Sequence, residues 1–163
     1  VMTTAKKKQK ARADIQKDLE AALEAVKAAG GRITKIRRAL LAQVSAAAEP
    51  VSAAAILDAL EKEGLTADRT TVYRELAFLT SGGFLREVRL IGAPSLYESA
   101  AEHRHHLICR NCHRVRTIVM DNHLETEEQE IMAKEDFEVT GHSLEFYGLC
   151  ARCREDGRKS ADR

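Results

Sequence analysis

An α+β fold in two parts is predicted by three features of the sequence. Four amphipathic helical stretches come first, three of them capped. Two short runs joined by the turn Ile91-Gly92-Ala93-Pro94 follow them, and two Cys-x-x-Cys pairs separated by 37 residues complete the pattern. The helices and the hairpin together describe an N-terminal winged helix-turn-helix domain over residues 1–99. The cysteine pairs describe a small α/β domain over residues 103–153, clasped by metal, with 154–163 as a flexible tail.

Residues 3–12 form a mobile, Lys/Arg-rich arm, suited to solubilising the chain or touching DNA. From Asp14 the apolar residues Ile15, Leu19, Leu23 and Val26 recur at helical spacing, and Gly30-Gly31 stops that helix. Thr34 caps a second helix with Ile36, Leu40, Leu41 and Val44 inward, ending before Glu49-Pro50. Ser52 caps a third helix, carrying Ile56, Leu57 and Leu60, and Gly64 closes it. Asp68 caps a fourth, with Val72, Leu76 and Leu79 inward and Gly82-Gly83 at its end. The wing is then Phe84–Leu90 paired with Leu96–Ser99. In a winged helix the last helix enters the major groove, N-terminal residues first. Its outward residues here are Arg69, Thr70, Tyr73 and Arg74, which suit guanine edges, thymine methyls and phosphates.

After a hinge at about Ser99–Glu102, strands are predicted at His105–Cys109 and Val115–Met120. Asp121 caps a helix containing Leu124, Ile131 and Met132. A long strand, Phe137–Leu149, presents His142, Leu144 and Phe146 on one face and delivers Cys150 and Cys153 to the hairpin bearing Cys109 and Cys112. Four thiolates are what a zinc-type ion takes at tetrahedral corners, so these cysteines predict a closed structural site. Structural zinc is worth about 10–16 kcal/mol at neutral pH, comparable to the whole stability of a domain. Strand alternation puts His103 and His105 on one face and Arg104 and His106 on the other, which adds an open histidine site.

The net charge of +1 hides an asymmetry: residues 1–100 carry 16 Lys/Arg against 12 Asp/Glu, and residues 101–163 carry 10 against 13. A basic front half suits a polyanionic partner. No apolar run approaches the length of a membrane span, and no apolar stretch follows the basic N-terminus as in a secretory signal, so no membrane partner is expected. Cysteines paired in this way predict metal in a reducing cytoplasm rather than disulfides.

Three segments carry a family resemblance: Asp68-Arg-Thr-Thr-Val-Tyr-Arg-Glu-Leu76, His103-Arg-His-His-Leu-Ile-Cys-Arg-Asn-Cys112 and His142-Ser-Leu-Glu-Phe-Tyr-Gly-Leu-Cys150. Over residues 14–153 the chain resembles the ferric uptake regulator family, dimeric metal-responsive repressors whose C-terminal domain dimerises. Thr34 and Arg37 match the family's Thr-x-x-Arg helix start, although Ile36 stands where proline is usual. The resemblance implies structural Zn2+ on Cys109, Cys112, Cys150 and Cys153, and a minor-groove role for Arg32. It implies a second site for Zn2+, Fe2+ or Mn2+ on His103, His105, Glu125 and His142. A third, hinge site retains only Glu98 and His106. A usual histidine is missing around Glu49-Pro50, another is Arg104, and a usual carboxylate is Thr117. Glu98 is instead expected to pair with Arg104, while His113 and His123 match no ligand position.

The function implied is a homodimeric regulator, most often a repressor, of metal-uptake or metal- and peroxide-stress genes. It would read a palindromic double-stranded operator, its recognition helices set about 34–36 Å apart by metal. The alternatives are a peroxide sensor, a member that binds DNA without a hinge metal, and a zinc hydrolase or deaminase. The last needs an open coordination position. The four-sulfur site is full and no His-Glu-x-x-His motif is present, so an enzyme is not expected.

Overall fold

A computed structural model describes residues 4–90, 92–101, 103–118, 120 and 124–155, with side chains from Ile15 onward. It divides into two compact units, residues 1–103 and 104–163.

In the first unit, α1 (Thr4–Ala28), α2 (Lys35–Ala46), α3 (Ala53–Lys62) and α4 (Arg69–Ser81) surround one core. The last three start and stop by local chemistry. Thr34 Oγ1 accepts from the backbone N–H of Arg37, Ser52 Oγ from that of Ala55, and Asp68 Oδ1 from that of Thr71, as the caps predicted. At the far ends of α3 and α4, Gly64 and Gly83 take φ of +73° each. The residues after them return N–H bonds to Leu60 and Leu79 at 2.9 Å, a reversal that needs the left-handed geometry glycine adopts without strain. Leu23, Leu40, Leu60, Leu76 and Leu79 are completely buried between the helices.

Two expectations change here. Helix α1 begins at Thr4, so residues 4–12 are helical rather than a mobile arm; Ala, Lys, Gln and Arg are all strong helix formers. The wing strand is Leu85–Val88 (β2), shorter than Phe84–Leu90, and it pairs antiparallel with β3 (Leu96–Ser99). A two-residue strand, β1 (Val51–Ser52), also joins β3, giving the order β1-β3-β2. Ile91 in the turn and Glu102 in the hinge lie outside the described residues.

In the second unit, β4 (His105–Cys109) is central, with β5 (Val115–Ile118) antiparallel on one side and β6 (Glu145–Gly148) parallel on the other. The long strand Phe137–Leu149 is therefore only four residues of ladder. Its partner β4 is five residues long, so pairing starts where Leu144 O accepts from His106 N–H and ends at Gly148. The predicted strand Val115–Met120 likewise ends at Ile118, and Val119 is outside the described residues. Helix α5 (Glu125–Glu135) starts one residue after Leu124, which sits outside it at φ +62° rather than inside as predicted. The expected cap Asp121 and surface residue His123 lie outside the described residues, as do 156–163 of the tail, while 151–155 make a helical turn. Among the described residues no helix is long and apolar enough to cross a membrane.

Candidate metal centres and nucleic-acid interface

The end of β4 with the turn after it, the segment following β6 and the helical turn at 151–155 bring Cys109, Cys112, Cys150 and Cys153 together, all four sulfurs within 4.8 Å of one another. Cys112 Sγ and Cys150 Sγ are 3.8 Å apart. A tetrahedron of thiolates about 2.3 Å from a zinc ion has edges of about 3.8 Å. A disulfide would need about 2 Å, and all four cysteines are free.

The electrostatics point the same way. The backbone N–H groups of Cys150 and Cys112 donate to Cys109 and lower its thiol to about 6, the Cys150 bond being 3.4 Å long. The backbone and side chain of Cys153 also lower Cys150. The Asn111 side chain lowers Cys153 too, but the sulfur of Cys150, burial and the remaining two sulfurs outweigh it and push that thiol up to about 12. Cys109 and Cys150 are pushed toward the thiolate and Cys153 away from it, and a cation at the centre would remove that conflict. The donor set fits Zn2+, which would there be held by Cys109, Cys112, Cys150 and Cys153 and would tie the end of β4 and its turn to the turn at 150–153.

The second cluster holds His103, His105 and His142, whose ligand nitrogens also lie within 4.8 Å of one another. His105 is buried on β4. Its ring stacks on His142 with centroids 5.5 Å apart and planes 22° from parallel. Three imidazole nitrogens fit a divalent ion of zinc or iron type. Beside His142 stands Glu128, with Oε1 2.7 Å from His142 Nδ1. Glu125, the acid expected from sequence, is the first residue of α5 and is exposed; among the described residues it does not join the gathered groups.

Of the hinge residues, Glu98 is buried on β3 with Arg86 directly opposite on β2, Nη1 to Oε1 3.5 Å. His106 is buried on β4, and the residue facing it across the ladder is Thr117, where the resemblance leads one to look for a carboxylate. His113, expected at the surface, is exposed.

On α4, Val72, Glu75, Leu76 and Leu79 face inward, while Arg69, Thr70, Tyr73 and Arg74 are exposed at its N-terminal turns. Arg32 is also exposed, and its backbone carbonyl accepts from Arg37 Nη1 at 2.6 Å. Arg37 is itself buried, with Nε 2.6 Å from Glu75 Oε2 and its guanidinium 3.9 Å over the Phe78 ring. Sequence reasoning left Glu75 out altogether. A glutamate at an inward position of a helix, with an arginine at an inward position of its neighbour, was the available signal.

The ferric uptake regulator family matches residues 28–147. The peroxide-responsive repressor PerR of Staphylococcus epidermidis is 28% identical over 145 residues, 88% of this chain and 95% of its own. The zinc uptake regulation protein of Mycobacterium tuberculosis is 32% identical over 128 residues, 78% of this chain and 98% of its own. The crystal structure of the Vibrio cholerae ferric uptake regulator superposes with a TM-score of 0.63 at 31% identity, covering 78% of this chain and 98% of that one.

Proposed function

The chain belongs to the ferric uptake regulator family, and from that premise we propose that it is a metal-dependent, DNA-binding transcriptional regulator, a repressor of metal-uptake or stress genes. It is not an enzyme. The observation that carries the reading is the division of α4: one side anchored in the core, the other offering Arg69, Thr70, Tyr73 and Arg74 to a groove. Arginine recognises guanine through two parallel hydrogen bonds, and the threonine and tyrosine hydroxyls reach phosphates. Arg32, on the segment leading into α2, reaches the minor groove.

Cys109, Cys112, Cys150 and Cys153 hold structural Zn2+. His103, His105 and His142, with a carboxylate of α5, hold the second divalent ion, Zn2+, Fe2+ or Mn2+. The working form is a cytoplasmic homodimer on a palindromic operator. Ligand binding at the histidine cluster favours one arrangement of the two DNA-binding domains over others, and its effect on affinity equals its differential affinity for those arrangements.

A second reading is favoured by one feature, Thr117 opposite His106 where a carboxylate would complete a hinge site. Under it, the hinge works without metal, with the positive charge of Arg104 substituting. A mobility shift with a promoter fragment separates the two. Protein chelated mildly enough to keep zinc in the four-thiolate site is tested first, then protein given zinc, ferrous iron or manganese in turn. Restoration of a specific shift by one metal supports the metal-dependent reading. A full shift by chelated protein that Arg104→Ala abolishes supports the second, and no shift under any condition refutes both.

A further inference from the structure

Arg37 is buried near the start of α2, and its guanidinium reaches two different segments of the first unit. Nε donates to Glu75 Oε2 at 2.6 Å, and the guanidinium lies 3.9 Å over the ring of Phe78, one turn further along α4. Nη1 donates to the backbone carbonyl of Arg32 at 2.6 Å. The residue before Arg32 is seated just as closely. A Cβ on Gly31 would come within 2.7 Å of Val26 Cγ1 and 3.2 Å of Phe78 Cζ, so glycine is what lets the backbone approach α4 this far. A guanidinium is a rigid planar fork, and two of its nitrogens bonded to separate partners fix the spacing of those partners. Glu75 follows Arg74 in the chain and is buried where Arg74 is exposed. Two hydrogen bonds, through Arg37 and Glu75, therefore join the backbone of Arg32 to the turn of α4 that carries Arg74. A buried ion pair is a weak source of net stability, but an apolar side chain at position 37 could not hold a carbonyl and a carboxylate at one spacing.

We infer that Arg37 is a positioning residue for DNA recognition: held by Glu75, it sets the segment carrying Arg32 at a fixed distance from the outward side of α4, so that the two meet the DNA as one body. This rests on the reading of Arg32, Arg69, Thr70, Tyr73 and Arg74 as the DNA-facing residues. Arg37 is buried and acts only through the others. A lysine in its place keeps the positive charge but lacks the planar fork that spans both acceptors. The Arg32 segment then has to be ordered when DNA binds, and that ordering offsets part of what the Arg32 side chain contributes.

The test is a double-mutant cycle on the full chain, under the metal condition that gives a specific mobility shift. Fluorescence anisotropy of the labelled promoter fragment is measured over a series of salt concentrations for wild type, Arg37→Lys, Arg32→Ala, Arg74→Ala and Arg37→Lys with Arg32→Ala. Arg37→Lys is expected to weaken binding, and in its background the further loss on Arg32→Ala is expected to shrink about tenfold, as for residues acting through one network. Arg37→Lys should also flatten the salt dependence as Arg32→Ala does, although no charge has been removed. A purely structural role would lower affinity by the same factor with or without Arg32, and would leave the salt slope unchanged. Additive losses with an unchanged slope therefore overturn the inference. Phe78→Leu, which removes only the ring beneath the guanidinium, is carried through the same cycle. It is expected to show a smaller coupling of the same sign, and it decides the matter in the same way where Arg37→Lys fails to fold. A promoter fragment that wild type does not bind, or binding that Arg32→Ala and Arg74→Ala both leave at the wild-type value, overturns instead the reading of the DNA-facing residues.

Discussion

Between Leu19 and Tyr97 the chain buries an unbroken set of aliphatic side chains, among them Leu23, Leu40, Leu41, Ile56, Leu60 and Leu76. Beyond residue 103, the buried apolar residues among those described are Ile108 and Val115, joined by Cys109 and Cys153, and α5 buries none. Each fully buried Leu or Ile contributes roughly 1.5–3 kcal/mol, so the first unit has a core that can hold it by itself. The second unit spans only residues 104–163, a size at which a core this thin needs a metal or a partner. The two halves thus differ in what holds them. One depends on exclusion of water; the other gathers four sulfurs that an ion would join.

That contrast is most directly broken by removing the ion. Chelation, or Cys153→Ser, is expected to unfold the second unit while the first stays folded. Hydrogen exchange would then show lost protection in β4–β6 and retained protection in α2–α4. Equal loss in both units would mean that they share one source of stability.

The converse substitution acts on the first unit. Leu76→Ala removes a completely buried side chain and is expected to cost about 2–5 kcal/mol in denaturant unfolding, with zinc content measured by atomic emission unchanged. Arg37→Ala is next. It leaves Glu75 charged and buried without its 2.6 Å partner and is expected to cost about 3 kcal/mol, while Glu75→Gln costs less because no charge remains unpaired.

A smaller effect separates stability from recognition. Arg74→Ala, at an exposed position, is expected to leave thermal unfolding unchanged and to weaken operator binding by about 1–3 kcal/mol, read by fluorescence anisotropy. Arg32→Ala should in addition flatten the salt dependence of binding, because a positive charge placed in the minor groove also displaces counterions.

The smallest effect is at the cap of α4. Hydrogen bonds from Thr71 hold the Asp68 carboxyl below its ordinary 3.8. A folded-state value below the unfolded one means that the cap's contribution is fully present above pH 3.8 and is lost as pH falls through the folded value. Asp68→Asn should remove that acid-side slope from the circular dichroism at 222 nm and leave neutral-pH helicity nearly unchanged.

Much of the chain was legible because its signals are local. Thr34, Ser52 and Asp68 were recognisable as caps since each bonds an N–H three residues away. The strand ends were not, because ladder length is a property of two partners. Nothing within Phe137–Leu149 says that only Glu145–Gly148 meets β4. The same holds for α1, whose start follows helix propensity over residues where the apolar pattern is silent.

By itself the sequence determined the capped helices, the apolar faces that make the core, the four-sulfur donor set and the outward side of α4. All of these depend on contacts within a few residues or on ligand chemistry that spacing displays. Only the tertiary structure decided that Glu75 meets Arg37, that β1 joins the wing, that β6 runs parallel to β4, and that Glu128 meets His142. Each of those depends on where the backbone brings two distant segments, and a shift of a single helical turn or ladder position exchanges one side chain for another.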